Sequence, residues 1–413
     1  MIGRTAADDS VSTRDEVVVI GAGVFGVAGA LELAARGWRV TLVDRGTVPH
    51  PDASSTDVSK MIRMDYGDDV YHHELAEAAL DGWERWNREW PEPLFHPEGF
   101  LVLARGPMRP GGFEYESHRV LVARGYHPER LDQRTLAARC PAWNAARYPD
   151  GYVSPRGGWA ESGAVVARLL ELATAAGVRR VDGTLDTVLA DSSRVAGVRL
   201  ADGRTLPARH VVVAVGAWTP KLLPELAGVL RCVAQPVVLY GVERPEEFRG
   251  PGFPPWAADI AGSGWYGFPA LPDGRVKLGH HGDGREVDPD DRGTVSEEHL
   301  DRARAFLTDS IPALADAPVV GTRVCLYCDS FDGDLLIDRD PHRDGLVVAA
   351  GGSGHGFKFA PTIGGLVADA VEGRENRWRA RLRWRARGAP RAEAARMIGS
   401  TPHRNGPEGD PDA

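Results

Sequence analysis

The sequence predicts a Rossmann-type α/β domain interleaved with a second domain of mixed-sheet, α+β character. Three observations predict it. Residues 17–44 read VVVIGAGVFGVAGALELAARGWRVTLVD: an apolar strand, a glycine turn, a helix and a second strand in succession. Two more buried-strand patterns stand far downstream, 211–218 (VVVAVGAW) and 345–350, and both run into glycine. The stretches between are broken by Pro and Gly and carry short strand and helix patterns of their own. The doubly wound sheet is therefore assembled from separated segments, with a second domain inserted between them.

In the first unit, the four apolar residues 17–20 read as a short strand buried on both faces. Gly21, Gly23 and Gly26 follow in G-x-G-x-x-G spacing, with Val24 and Phe25 inside the turn. Gly21 allows the tight turn, Gly23 lets a pyrophosphate approach the backbone, and Gly26 lets helix and strand pack closely. The helix N-terminus then presents N–H groups to the phosphates. Apolar residues Val27, Leu31, Ala34 and Ala35 carry the helix to a stop at Gly37. The strand 39–43 ends at Asp44, placed to accept hydrogen bonds from ribose hydroxyls. These distances point to a dinucleotide site; the alternative is a glycine-rich turn in an α/β sheet.

Residues 1–15 read as a mobile tail. After the loop 49–64 comes a helix over 71–90, with Leu75, Ala79 and Trp83 on one face. Short strands (99–104) and helices follow to 145, and a helix over 163–176. Residues 179–191 and 194–200 form a strand pair feeding 210–215. Strands over 237–242 and 275–281, a helix over 296–307 and the last strand precede a helix with Ile363, Leu366, Val367 and Ala370 inward. Residues 374–413, rich in Arg, Pro and Gly, read as a short extension and then disorder. The expected division is 16–90, 146–230 and 321–375 for the dinucleotide domain, 91–145 and 231–320 for the substrate domain, and 376–413 for the extension. Nicotinamide dehydrogenases follow their glycine motif with a continuous run of strands and helices. The interrupted pattern favours a flavin enzyme.

The 413 residues suffice for two domains. The net charge of −9 argues against a nucleic-acid partner, which wants a basic face. No apolar run reaches the roughly 20 residues that span a bilayer, and residues 1–15 lack the pattern of a signal peptide. The expected location is the cytoplasm. Four cysteines are too few for a disulfide framework.

Residues 345–371 carry a second constellation, GLVVAAGGSGHGFKFAPTIGGLVADAV. Its glycine-dense turn aims backbone N–H groups at an anion, such as the pyrimidine edge of a reduced flavin, and Lys358 adds a cation. The alternative is a second tight turn with a solvated lysine. In RVKLGHH (275–281), Lys277, Gly279 and His281 share one face. Lys277 is either an edge-strand lysine pointing to water or a cation close to the cofactor. Cys325 and Cys328, in C-x-x-C spacing, have no second pair for a zinc site, and no metal is expected. On the residues alone both read as core.

Three stretches together resemble the sarcosine oxidase-like flavoprotein amine oxidases, within the D-amino-acid-oxidase-type superfamily: WYGFPALPDGRVKLGHH (265–281), RVCLYCDSFDGDLLID (323–338) and GGSGHGFKFAPTIG (351–364). The resemblance runs from about residue 15 to 375. The loop SSTDVSKMIRMDYGDD (54–69), the GGSGHGFKFAP form and RLRWR (381–385) are most similar to the fructosyl amino acid, saccharopine and N-alkyl amino acid oxidases. The resemblance implies FAD joined to Cys325 through a thioether, with Cys328 remaining core. It implies that Lys277 activates O2, that Arg63 and Lys358 hold the substrate carboxylate, and that Tyr266, His281 and Tyr327 line the substrate cavity. Around the cofactor it places Gly21, Gly23, Val24, Phe25, Gly26, Asp44, Arg45, Ser55, Lys60, Val181, Gly216, Trp218, Gly352, Gly354, His355, Gly356 and Lys358. Lys60 stands where sarcosine oxidases carry an arginine, and Thr56 where they carry a histidine, which fits the fructosyl-amine subgroup.

The implied reaction is oxidation of the C–N bond of a secondary amine or N-substituted amino acid. Hydride passes to flavin, O2 is reduced to H2O2, and the imine is hydrolysed. A monomer acting on a small molecule is implied. The alternatives are a dehydrogenase with another electron acceptor, a biosynthetic tailoring enzyme for a larger or ring amine (pipecolate-like or N-methyl-tryptophan-like), and a flavin-binding protein without turnover.

Overall fold

The computed structural model describes residues 16–389. The expected tail, 1–15, and the disorder expected toward the C-terminus beyond 389 lie outside the described residues. A six-stranded sheet runs in the order Leu336–Arg339, Leu346–Ala350, His210–Val213, Glu16–Ile20, Arg39–Asp44, Arg179–Asp182. All neighbours are parallel except the first pair. Val18 pairs with Thr41 on one side and Val211 on the other. Valine-rich strands suit this position because helices or other layers cover both faces.

Two helices lie against each other over this sheet. In Val24–Ala35, a side chain at Gly29 would come within 2.9 Å of Val367. In Ala360–Glu372, one at Gly364 would come within 2.6 Å of the Ala28 carbonyl oxygen. The two glycines thus set the close approach. Arg36 closes the contact with Asp369 and Glu372, both at 2.8 Å. The helix Val70–Glu89 packs Gly82 onto Pro361 at the start of Ala360–Glu372.

The second, nine-stranded sheet is mostly antiparallel. Near one edge the twelve-residue strand Leu230–Gly241 lies between Arg275–His280 and Val319–Ser330. Trp265–Gly267, Trp256–Ala258, Phe100–Ala104, Asp150–Ser154 and Glu129–Asp132 extend the sheet beyond Arg275–His280. Two three-stranded sheets complete the fold.

Several expectations need correction. Residues 150–154 and 321–330, grouped by sequence with the dinucleotide unit, pair in the large sheet. The stretch 179–191 is not one strand. It breaks at Gly183, after which Leu185–Asp191 leaves the parallel sheet for a hairpin with Arg194–Leu200. The strand expected over 211–218 stops at Val213, and a 3-10 turn, Gly216–Trp218, follows. Lys277 is not on an edge: its strand is flanked on both sides, and the residue is 1% exposed. The described part of the C-terminal extension is docked. Arg381 pairs with Asp69 at 2.6 Å and also with Asp334, and Arg385 grips Asp332 through two nitrogens, both at 2.7 Å.

Candidate active site

The parallel strands end at a cleft of about 320 Å³. Its floor is the first glycine turn. The Gly21 N–H donates to Val43 O at 2.7 Å, tying the turn to the second strand. A side chain at Gly26 would fall 1.7 Å from Gly21 O, so this position requires glycine. Asp44 accepts from the Ala22 N–H and lines the cleft; burial raises its carboxyl above the ordinary value despite that bond. Ser55 Oγ receives the Val24 N–H at 3.2 Å. Of the expected cofactor residues, Gly21, Gly23, Val24, Phe25, Asp44, Arg45, Ser55, Lys60, Gly216, Trp218, Cys325, Gly352, Gly354 and Gly356 line this cleft. Gly26, packed beneath the turn, and Val181 do not, although Gly183, Thr184 and Leu185 just beyond Val181 do. His355 and Lys358 face a second cavity instead. Cys328, expected as core, is buried but also reaches the cleft wall.

That second cavity, about 80 Å³, adjoins the cleft: Lys60, Tyr327, Gly354 and Phe357 line both. It gathers all six expected substrate-side residues, Arg63, Tyr266, Lys277, His281, Tyr327 and Lys358. Arg63 lies over the Tyr66 ring at 4.9 Å, and its Nη1 is buried with no hydrogen-bond partner. Leaving a guanidinium donor unmet in the interior is costly. Lys358 Nζ donates to Tyr66 Oη at 2.9 Å and to His355 O at 3.0 Å. Tyr66 Oη is 3.0 Å from His355 Nδ1, and His355 Nε2 is 3.0 Å from Gly333 O. The Tyr266 and Tyr327 hydroxyls approach to 3.4 Å. Glycines make room for both rings: a side chain at Gly279 would strike Tyr266, and one at Gly354 would lie 2.2 Å from the Tyr327 ring.

The charges are organised by a residue the sequence reading passed over. Asp57, 4% exposed, pairs with Lys277 and, at 3.2 Å, with Lys60. Lys277 also donates to Ser59 O at 2.7 Å and sits 4.5 Å from the centre of the Phe268 ring. Burial disfavours the Asp57 anion, but the two ammonium groups outweigh it and hold the carboxyl well below its ordinary range. Burial pushes Lys277 down to about 8, because Asp57 offsets the desolvation only in part and Lys60 opposes it. Lys60 lies 3.9 Å from Cys325 Sγ. Burial opposes its charge, but Cys325 and Asp57 carry it up to about 12. Thr56 lines neither cavity; its hydroxyl turns back to His50 O and Ala53 O.

The family model for FAD-dependent oxidoreductases of the DAO type matches residues 16–370. The chain belongs to this family of FAD-dependent oxidoreductases. It is 28% identical to the monomeric sarcosine oxidase of Bacillus sp. (strain B-0618) over 363 residues, 87% of this chain and 92% of that protein. It is 27% identical to the N-methyl-L-tryptophan oxidase of Citrobacter koseri, over 87% of this chain and 95% of that protein.

 
In structure it is similar to an Amadoriase I mutant from Aspergillus fumigatus: TM-score 0.78, 27% identity, covering 92% of this chain and 91% of that one. These solved neighbours share the α/β fold expected from the sequence.

The cleft fits the family's cofactor. Gly21 and Gly23 line it, and a side chain at Gly23 would come within 3.3 Å of Ser55 Oγ, so glycine leaves the backbone bare where a pyrophosphate must approach. The helix Val24–Ala35 starts there, with its N–H groups toward the cleft. Asp44 stands at the ribose position of the second strand. Sequence reasoning missed His50, Asp290 and Lys221, which also line the cleft. Asp290 accepts from Trp218 Nε1 at 2.7 Å and from Lys221 at 2.7 Å, and Arg45 lies over the Trp218 ring at 4.7 Å. No motif marks these contacts, because the partners lie about seventy residues or more apart in sequence. Asp57 had a local signal, an acid three residues before Lys60. Tyr66 had none.

Proposed function

We propose that this chain is an FAD-dependent oxidase of a secondary amino acid, working as a cytosolic monomer with O2 as electron acceptor. One observation carries the reading. A buried guanidinium nitrogen of Arg63 without a partner, together with the Lys358 ammonium, faces a cavity that opens onto the cofactor cleft beside Cys325. The names of its relatives, a sarcosine oxidase and an N-methyl-L-tryptophan oxidase, support the same reaction class.

FAD, when bound, supplies the acceptor for a hydride and the route for electrons to oxygen. The rest is the work of the chain. Arg63 binds the substrate carboxylate, its planar fork matched to two oxygens. Lys358 adds a second cation, held in place by Tyr66 and the His355 carbonyl. Fixing the carboxylate fixes the C–N bond near the wall shared with the cleft, and positioning of this kind supplies much of a rate enhancement. The paired hydroxyls of Tyr266 and Tyr327, with His281, line the path to the reacting nitrogen, which must be neutral to release hydride. Lys277 keeps a buried cation beside the cavity, where it stabilises negative charge developing on oxygen. Cys325 is the proposed thioether attachment point.

The test is an anaerobic titration of the purified holoenzyme with secondary amino acids, following flavin absorbance. Bleaching, with recovery and H2O2 formation on admitting air, is expected. Flavin that no secondary amine reduces would refute the oxidase reading, and reduced flavin indifferent to air would identify a dehydrogenase. Size-exclusion chromatography checks the monomer.

A further inference from the structure

The arginines of RLRWR (381–385) take no part in the proposed reaction. A directed chain of hydrogen bonds nevertheless joins them to the lysine of the carboxylate anchor. The chain starts at Lys358, which lines the smaller cavity and is 4% exposed. Its ammonium is a donor only. It donates to Tyr66 Oη at 2.9 Å and to His355 O at 3.0 Å, which fixes its orientation. Tyr66 Oη thus accepts from Lys358, and its own proton goes to His355 Nδ1, 3.0 Å away. The histidine proton then sits on Nε2, which donates to Gly333 O at 3.0 Å. Each link sets the polarity of the next, and the chain ends on a loop carbonyl.

The C-terminal segment holds that carbonyl in place. Gly333 lies in the loop between Val319–Ser330 and Leu336–Arg339, flanked by Asp332 and Asp334. A guanidinium grips each neighbour. Arg385 binds both oxygens of Asp332 at 2.7 Å and donates to Asp334 O at 2.9 Å. Arg381 binds both oxygens of Asp334, with Nε 2.7 Å from Oδ2. Arg381 also reaches Tyr66 from the other side. It pairs with Asp69 at 2.6 and 2.9 Å, Asp69 holds His72 Nδ1 at 2.9 Å, and the His72 ring stacks on Tyr66 with centroids 4.9 Å apart. Neither arginine lines the cleft or the cavity, so any effect on substrate passes through these contacts. With the loop released, the imidazole is free to carry its proton on Nδ1, and the Tyr66 proton loses its acceptor.

We propose that Arg381 and Arg385 are positioning residues for substrate binding: the docked C-terminal segment sets the Gly333 carbonyl and, through His355 and Tyr66, the direction in which Lys358 presents its charge to the substrate carboxylate. This rests on Lys358 as part of the carboxylate anchor, and that reading is tested by its own variant.

The measurement is binding of propanoate, a non-reacting carboxylate, to the holoenzyme, read as perturbation of the flavin spectrum. Lys358→Met tests the anchor. Affinity unchanged in that variant, or no binding to the wild-type enzyme, would remove the anchor reading and the proposal with it. Arg381→Gln is expected to weaken propanoate about tenfold, and Tyr66→Phe, which keeps the ring, by a similar factor. The decisive comparison is Arg381→Gln in the Lys358→Met background. There its effect should fall below about twofold, because the group it acts through is gone. An equal loss in both backgrounds, or no loss in the first, would reduce Arg381 to a structural role and overturn the proposal. Where Lys358→Met binds too weakly to measure, Tyr66→Phe serves as the background, with the same two outcomes. If Arg381→Gln does not fold, Arg385→Gln takes its place. If neither folds, Tyr66→Phe decides: weakened binding sustains the chain, and full affinity breaks it. A loss in Lys358→Met with none in Tyr66→Phe leaves the anchor standing and removes the positioning role alone.

Discussion

Asp57 shows how much one buried carboxylate decides. Its oxygen is shared by Lys277 and Lys60, so three ionised groups in that pocket sum to a single positive charge. Lys277, pushed down to about 8, is a cation below that pH and loses its charge above it. Reoxidation of the reduced enzyme by O2 is therefore expected to be fast below pH 8 and to decline above it. Asp57 raises the Lys277 value, so Asp57→Asn should move that decline to lower pH; stopped-flow reoxidation across a pH series measures the shift. Lys277→Met should slow reoxidation by about 10²-fold or more while leaving anaerobic reduction nearly unchanged. Equal slowing of both half-reactions would remove Lys277 from the oxygen site. Cys325→Ala should release FAD on acid precipitation; FAD that stays with the precipitate would place the linkage elsewhere. Cys325 shows the limit of local reading. Its C-x-x-C spacing says nothing about flavin, and only its register on Val319–Ser330 brings it to the cleft.

At the scale of elements, glycine-dense turns and arginine-rich ends carry the geometry. The turn after Leu346–Ala350 puts Gly354 at φ +74 with the Tyr327 ring against its backbone. Gly354→Ala faces both a left-handed conformation, costing about 1–2 kcal/mol, and a collision with that ring. The expected result is weakened flavin binding and a lowered Tm, read by flavin fluorescence during thermal unfolding. The C-terminal segment, read from sequence as an extension and then disorder, is stapled by Arg381 to Asp69 and Asp334. Asp69 caps the helix Val70–Glu89, and Asp334 adjoins Gly333, whose carbonyl meets His355. Arg381→Ala should therefore destabilise by about 2–4 kcal/mol, because it removes the cation that two largely buried carboxylates share. Urea unfolding measures it, and Arg381→Lys should recover only part, since one ammonium cannot fork between two acids.

Across the whole molecule, the two sheets meet at the site, and an acid-sensitive pair is shared by the strand Arg275–His280 and the helix Glu297–Ser310. Burial lowers His280 and His299 to about 4, and their rings stand 6.0 Å apart beside Arg302. Between pH 6.5 and about 4 the unfolded chain protonates these histidines and the folded chain does not. Stability is thus expected to fall as pH drops through that window, and His299→Gln should flatten the slope in urea titrations at pH 7, 6, 5 and 4. The six residues of the substrate side came only through the family resemblance; the amino-acid sequence by itself determined the glycine turn, Asp44 as the end of the second strand and the interrupted order of strands. Each of these rests on local periodicity or on a short motif whose physics is local. Tertiary structure alone decided that Lys277 is interior, that Asp57 is its counter-ion, that Tyr66 holds Lys358 and that the arginine-rich end is docked. Those contacts join residues up to about three hundred positions apart, and a charge becomes a buried charge only when distant strands close over it.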